Sequence, residues 1–371
     1  QDALNAAANG DAIYLAGHTF FITNQLVWAA RTNVTVQGGY AATNDTDTPG
    51  TPDGQCWPTI ITRNSANNTR ILTITNVTTC TLERVTLAGG YQTAGYGGGI
   101  YIAGSTGLVI SACVISNNTL SINNQPLAGG GIYSLNSIVA MSNCMVRGNN
   151  LVATDDRLPY GGGIYAESGR LTLDNSVIAN NRCTGSRQIR YGGGLYINGA
   201  TCLARNCLVV GNTTISGYGD GIFTIGSSAL TLENCTVAYN SGHGIYRNAG
   251  TVAVTNSIVW GNGDDLTGVV AVTCCDIQTA NDTSWTNGIN GCISTEPLFE
   301  RGFYLATNSV CVDRGTNDAA SWGFTNYTTR ADGSNDTGIV DLGYHYPTGL
   351  DPTWADIYVA TDGLDSAAGM R

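Results

Sequence analysis

The chain has 371 residues, with 27 acidic against 16 basic side chains and a formal net charge of −11. This acidity argues against a nucleic-acid partner, because such binders carry basic stripes, and no apolar run of about 18 residues predicts a membrane span. All the basic residues are Arg, which excludes Lys chemistry such as Schiff-base formation. The 49 Gly residues and 12% charged residues favour a β-rich protein with many tight turns.

The N-terminal segment predicts a capping helix followed by short strands. Residues 1–10 (QDALNAAANG) read as a short helix closed by Gly. We find no signal peptide and interpret Gln1 as a mature or trimmed start. Alternation with period two then predicts strands at about 12–16, 20–28 and 33–38, a loop at 41–58 and two more coils through 59–90.

Two motifs recur six times between residues 96 and 265. The first is a glycine cluster followed by an apolar–aromatic pair, as in residues 97–101 (GGGIY). Its apolar residues lie at 100, 132, 164, 195, 222 and 245, so the period is 32, 32, 31, 27 and 23 residues. The second motif is a small residue with Asn five positions later, as in Cys113 and Asn118. Repeats of this length, built from strands, predict an all-β fold: a single-stranded right-handed parallel β-helix.

Recurring residue types become ladders in such a fold, because successive coils stack at about 4.8 Å. One ladder is predicted to pass amide hydrogen bonds between coils while its members take the left-handed backbone of a turn. It comprises Asn118, Asn149, Asn181, Asn212, Asn240 and Asn262. We expect Ile100 and its equivalents in the core and the aromatic residues on the opposite face. They would form an external stripe for a ligand: Tyr101, Tyr133, Tyr165, Tyr196, Phe223 and Tyr246.

The twelve cysteines favour an oxidising compartment. Cys113 and Cys144 occupy equivalent places one coil apart, as do Cys207 and Cys235, so each pair lies within disulfide reach. The alternative is a ladder of buried thiols that act as small apolar fillers. No Cys/His spacing suggests zinc, residues 332–336 (DGSND) lack the pattern of an EF-hand, and we predict no metal and no cofactor.

Three parts follow from these patterns. Residues 1–265 form the β-helix, with regular repeats at 96–265, residues 266–352 form irregular coils and a C-terminal cap, and residues 353–371 form a tail strand. The loops at 119–128, 150–160 and 182–191 leave the same corner of successive coils as a fringe. The fringe is either a binding site or a set of tolerated insertions. It carries Asp155, Asp156, Arg157, Tyr160, Arg187, Arg190 and Tyr191.

Both motifs resemble the repeats of chlamydial-type polymorphic outer-membrane proteins. The chain is more similar overall to secreted bacterial β-helix proteins of the choice-of-anchor Q type, through residues 1–11, 256–262 (NSIVWGN) and 340–346 (VDLGYHY). This resemblance implies secreted or surface placement and no defined catalytic residues. In that family a strand of the form YVATDGxD precedes the N-terminal helix, whereas here residues 357–365 (IYVATDGLD) come last.

This displaced strand has three interpretations. The chain is one period of a tandem array, or its tail completes the next molecule, or the phrase only marks where the chain was cut. In the second case Ile357, Tyr358, Val359 and Ala360 would pair beside residues 12–16 of another copy. Head-to-tail pairing that does not close makes a filament.

We therefore predict an extracellular or cell-surface structural solenoid that assembles with copies of itself and is not an enzyme. An adhesin that binds cell-surface or matrix glycans through the aromatic stripe and fringe is the alternative. A polysaccharide lyase or hydrolase ranks last, although parallel β-helices host such enzymes. Asp155 and Asp156 lie about three coils from His243 and Arg247, too far to share a site with them.

Overall fold

A computed structural model describes residues 1–41, 50–122, 127–154, 158–185, 191–215, 217–278 and 285–348. Within them the chain is a right-handed parallel β-helix with a short N-terminal helix and an irregular C-terminal cap, which confirms the predicted fold class. None of its helices in this described part is long and apolar enough to cross a membrane. The tail strand at 353–371, with Ile357–Ala360 in its middle, lies outside the described residues.

The largest sheet has 17 strands, to which each coil contributes two in succession. In two coils these fuse into one long strand, Ile132–Ser142 and Ile164–Asp174. The other strands that come first in their coils are Leu26–Ala29, Leu72–Thr75, Ile100–Ala103, Leu195–Asn198, Ile222–Ile225, His243–Arg247 and Asp264–Thr267. Those that come second are Ala12–Ala16, Thr35–Tyr40, Thr81–Glu83, Thr106–Ser111, Thr201–Arg205, Ala229–Glu233, Thr251–Thr255 and Ala271–Thr273.

Smaller sheets complete the coils. A 10-stranded parallel sheet comprises Thr19–Ile22, Thr59–Arg63, Val85–Ala88, Val114–Ser116, Met145–Arg147, Val177–Ala179, Leu208–Val210, Thr236–Ala238, Ile258–Trp260 and Asp276–Ile277. A five-stranded sheet comprises Tyr91–Gln92, Thr119–Ile122, Asn150–Ala153, Arg182–Gly185 and Thr213–Thr214, and Leu127–Ala128 pairs with Pro159–Tyr160. We call these last two sheets the flange. The predicted loops at 119–128, 150–160 and 182–191 are thus partly strands, because they continue the stacking of the coils.

The N-terminal end is closed by side-chain contacts with the first coil. The capping helix is shorter than predicted, at Asp2–Ala6, and the strand predicted at 20–28 is broken by a turn between Ile22 and Leu26. Gln1 accepts a hydrogen bond from the Val27 N–H at 2.7 Å and donates one to the Val27 carbonyl at 2.9 Å. The side chain of Gln1 thereby satisfies an edge-strand residue that would otherwise be unpaired.

Equivalent residues of successive coils stack in register. Ile100 pairs with Ile132 and Ile132 with Ile164, and all three side chains are buried in the core. Regular stacking continues to Asp276–Ile277, beyond the predicted end of the β-helix at residue 265. The apolar alternation in Ala271–Thr273 keeps this last coil on the same core.

The asparagine ladder is a continuous chain of hydrogen bonds. Each Nδ2 group donates to the Oδ1 atom of the next Asn at 2.9–3.0 Å. Each also donates to a carbonyl of the preceding coil at 2.9–3.1 Å. Beyond Asn262 the acceptor is the fully buried carboxylate of Asp265, 2.8 Å from Asn262 Nδ2. The third glycine of each cluster makes room for the ladder, since a Cβ atom on Gly99 would lie 2.8 Å from Asn118 Cγ.

The left-handed turn residue is not the ladder Asn, contrary to the sequence-based expectation. It is the residue before each one, because the ladder side chain must point inward while the chain bends: Asn117, Gly148, Asn180, Gly211, Tyr239 and Gly261. A second set of left-handed residues, which we call the corner row, precedes the small residue of the second motif. It comprises Asn143, Asn175, Asn206, Asn234 and Asn256.

All twelve cysteines lie in the described ranges and are free thiols. The predicted disulfides Cys113–Cys144 and Cys207–Cys235 are therefore wrong here, and the alternative, a ladder of buried thiols, is present. The thiols stack in parallel because each donates to backbone carbonyls: Cys144 Sγ lies 3.3 Å from both Ser142 O and Ile110 O. Burial raises the pKa of the Cys144 thiol to about 11, which keeps it protonated.

The cap folds back over the corner row. Its elements are the 3₁₀ turn Arg301–Phe303, the helix Ala319–Trp322 and the antiparallel pair Tyr327–Thr328 and Tyr346–Pro347. Asn206 donates to the His345 carbonyl at 2.8 Å and accepts from the His345 N–H at 2.6 Å, across 139 positions of the sequence. His345 is fully buried, and its Nε2 atom lies 2.8 Å from Asp336 Oδ2. In residues 332–336, the Ser334 N–H donates to Asp332 Oδ1 in an Asx turn.

Candidate functional site

The predicted aromatic stripe points away from the core but is not an external surface. Consecutive rings stack with centroids 4.8–5.6 Å apart. Tyr133, Tyr165, Tyr196 and Phe223 are only 1–6% exposed. The stripe is therefore a second, lateral core, and its predicted availability to a ligand is wrong for these four residues.

A second row of tyrosines covers the stripe. Tyr96 stacks on Tyr133 with centroids 4.5 Å apart, and Tyr160, Tyr191 and Tyr218 are joined by backbone bridges from coil to coil. These residues end the fringe segments and stand just before the glycine clusters, so the flange folds its own aromatic residues over the stripe. Tyr218, at the end of this row, is 40% exposed.

The glycine pattern changes where the covered stripe ends. The second glycine of the cluster, Gly98 in the first repeat, is replaced by Asp220 in GDGIF and by His243 in GHGIY. In the next coil Asp264 lies opposite His243 in the sheet register. The stacking of three consecutive coils thus brings two carboxylates and one imidazole to the same place on the flange side.

Asp220 is 2% exposed and accepts hydrogen bonds from two hydroxyl groups, those of Thr214 and Ser241. Gly242 is required beside it, because a Cβ atom there would lie 2.8 Å from Asp220 Oδ2. Ser241 itself is exposed. The Ser241 hydroxyl therefore connects a buried carboxyl group to the surface.

His243 lies between two tyrosines and faces the second carboxylate. Its ring centroid is 4.9 Å from that of Tyr246 and 5.6 Å from that of Tyr218. His243 Nε2 lies 3.8 Å from Asp264 Oδ2, and the two side chains are 20% and 12% exposed. Thr267 donates to the same Asp264 oxygen at 2.5 Å. His243 Nδ1 is buried and has no hydrogen-bond partner among the described residues.

Burial shifts the acid–base constants of Asp220 and His243 toward each other. It raises the pKa of the Asp220 carboxyl, although the hydroxyls of Ser241 and Thr214 oppose part of the rise. It lowers the pKa of His243, against the attraction of Asp264 and Asp220 for the imidazolium. A carboxyl that holds its proton longer and an imidazole that is neutral near pH 7 are the two partners that proton transfer requires. The cluster can therefore perform general acid–base chemistry.

Sequence reasoning noticed His243 but paired it with the wrong residues. Asp155, Asp156, Arg157, Arg187 and Arg190 lie outside the described residues. Arg247 Nε donates to the Gly250 carbonyl at 2.8 Å, within its own turn. The signal that could have found Asp220 and Asp264 is the departure from GGG in consecutive repeats, because the stacked coils place those positions side by side.

Comparisons with known proteins add the fold class only. No protein-family model matches the chain, and no curated protein matches it. Among solved structures, pectate lyase Pel9A is similar over 92% of this chain and 90% of its own, with 13% identity and a TM-score of 0.47. The more specific resemblance to choice-of-anchor Q and polymorphic outer-membrane proteins stays a prediction.

The expectation that the chain is not an enzyme is corrected by this comparison, because the similar solved structure is that of an enzyme. The likeness is too low for the activity or the site of pectate lyase Pel9A to be transferred to this chain. Any activity must be argued from the chain's own side chains.

Proposed function

We propose that the protein hydrolyses a neutral extracellular glycan, with Asp220, His243 and Asp264 as its acid–base group. The observation that supports this proposal is the convergence of these three titratable side chains on consecutive coils, two of them at positions where glycine stands in earlier repeats. A buried carboxyl with a raised pKa beside an imidazole with a lowered pKa is typical of catalytic sites.

Hydrolysis of a glycosidic bond needs a proton for the leaving oxygen and a base for the attacking water. In the proposed reaction, His243 takes a proton from water as the water oxygen bonds to the anomeric carbon, and Asp264 stabilises the imidazolium. Asp220 gives a proton through the Ser241 hydroxyl to the leaving oxygen as the carbon–oxygen bond breaks. Return of the proton from His243 to Asp220 through solvent restores the site.

The charge balance favours a neutral substrate over a polyuronate. The chain carries a net charge of −11, which repels a polyanion. Arg247, the cation on the same strand as His243, is bonded to its own turn. The exposed face of Tyr218 beside His243 offers a flat apolar surface for a sugar ring.

A reducing-end assay over a panel of neutral glycans and polyuronates tests the proposal. We expect product from a neutral glycan with the wild type and with Asp318→Asn, which removes an exposed carboxylate of the cap. The isosteric Asp264→Asn variant and His243→Ala should lose about 100-fold in rate. Absence of reducing ends from every neutral glycan, or unsaturated products from polyuronates, would contradict it. A glycan retained uncleaved would favour the adhesin instead.

From the sequence we also propose extracellular placement and head-to-tail assembly, with residues 353–371 pairing beside residues 12–16 of the next copy. The first coil exposes two aromatic residues, Tyr14 and Phe21, at 50% and 71%, which supports a contact there. Electron microscopy of the full chain and of a chain ending at Pro352 should show filaments only in the first. Single rods in both samples would count against assembly.

A further inference from the structure

A cavity of about 240 Å³ lies between the C-terminal cap and the corner row, and no residue of the flange site lines it. On the solenoid side it is lined by Asp174, Arg205 and Asn234, and on the cap side by Trp322, Phe324 and Tyr327. It therefore joins two parts of the chain that are distant in sequence.

Asn234 is the unusual residue of this cavity. It is 1% exposed, yet within the described chain neither its Nδ2 nor its Oδ1 atom has a hydrogen-bond partner. Leaving a buried polar group unpaired costs about 1–3 kcal/mol. Such a residue indicates a partner that the protein chain does not supply.

Its two neighbours in the corner row are engaged by the cap. Asn206 exchanges hydrogen bonds with the backbone of His345, and Asn256 Oδ1 accepts from the Thr316 N–H at 2.8 Å. The cap thus bonds to the corner before and after Asn234 but leaves a gap over Asn234 itself. The amide of Asn234 lines that gap.

The walls of the cavity are preorganised and close to neutral. Trp322 Nε1 donates to the Thr316 carbonyl at 2.8 Å, and Phe324 stacks on the His345 ring with centroids 4.1 Å apart. Arg205 Nε is paired with a Glu233 carboxylate oxygen at 2.7 Å, so it adds no free cation. Fixed aromatic faces reduce the entropy cost of binding.

We infer that this cavity binds one neutral hexopyranose ring. The aromatic faces of Trp322 and Tyr327 suit the C–H face of such a ring, and Asn234 and Asp174 supply a donor and acceptors for its hydroxyl groups. The volume is below the roughly 300–1,000 Å³ of sites for larger ligands, which limits the occupant to a single ring. This site is independent of the proposed hydrolytic site.

Saturation-transfer NMR with methyl glucosides, galactosides and mannosides tests the inference on the full chain. Asn234→Gly removes the amide and keeps the left-handed backbone, because glycine accepts its φ of 52°. We expect it to lose at least tenfold in hexoside affinity while its melting temperature rises, since the unpaired amide is gone. Asn143→Gly, the same change at an exposed member of the row, should bind as the wild type does.

Trp322→Leu should weaken binding by a similar factor, and His243→Ala should leave it unchanged. Equal affinity in wild type and Asn234→Gly would overturn the inference. So would the absence of binding of every hexoside to the wild type, or loss of binding in Asn143→Gly. A lower melting temperature of Asn234→Gly would show that its amide has a structural partner, and would also count against the site.

Discussion

The ladder and the corner row are two lines of asparagines that run along the same coils with different roles. In the ladder, each amide bonds to the next amide and to the preceding coil, and the line ends on Asp265. In the corner row, the asparagines take left-handed backbone, and their side chains meet the cap or a cavity. The same residue type thus holds the coils together in one line and receives external partners in the other.

Removing a ladder amide should have the largest effect. Asn181 takes part in four hydrogen bonds, with Asn149, Asn212 and the Val146 carbonyl. Asn181→Ala leaves those buried partners unpaired, and we expect the free energy of unfolding to fall by about 4 kcal/mol. Urea denaturation measures it. A loss below about 1 kcal/mol would contradict the role assigned to the ladder.

A corner-row change should act on the cap. Asn206→Gly keeps the backbone at its φ of 47° but removes the two hydrogen bonds to His345 and one to Asn175. We expect a loss of about 3 kcal/mol, with limited proteolysis cutting the cap before the solenoid. Asn143→Gly is the matched control, because Asn143 is exposed. Equal protease resistance of the cap in both variants would remove the distinction between the two lines.

The joint between solenoid and cap should show a pH effect. Burial raises the pKa of Asp276 from 3.8 to about 6, although the Cys311 thiol and the Thr295 N–H oppose part of the rise. A raised folded pKa means that the stabilisation is full below about pH 4 and is lost as the pH rises through 6. Wild type should therefore lose roughly 2 kcal/mol relative to Asp276→Asn between pH 4 and 7. Parallel stability curves for the two proteins would contradict this.

The sequence predicts the repeating part of the molecule well, because each coil contacts only its neighbours. The glycine clusters and Ile100-type positions lead directly to the parallel β-helix, and the spacing of Asn118 and its equivalents identifies the ladder residues. The corner row was also visible, as SNC, DNS, RNC, ENC and TNS before the second motif. Its role was not, because the cap that uses Asn206 comes 139 positions later.

The candidate site was harder to predict for a related reason. The covering tyrosines belong to segments interpreted as loops, so the stripe was expected at the surface. Asp220 and Asp264 each look like ordinary turn residues, and only the stacking of three coils places them beside His243. Departures from a repeat were more informative about chemistry than the repeat itself.

The central claim is that His243 is a neutral base held beside two carboxylates, and an NMR titration tests it directly. The chain has only three histidines, so the imidazole signals can be assigned with a His243→Gln variant. We predict that the pKa of His243 lies below its ordinary 6.5 and falls further in Asp264→Asn, because that carboxylate favours the charged ring. A pKa above 6.5, or one that Asp264→Asn leaves unchanged, would contradict the account.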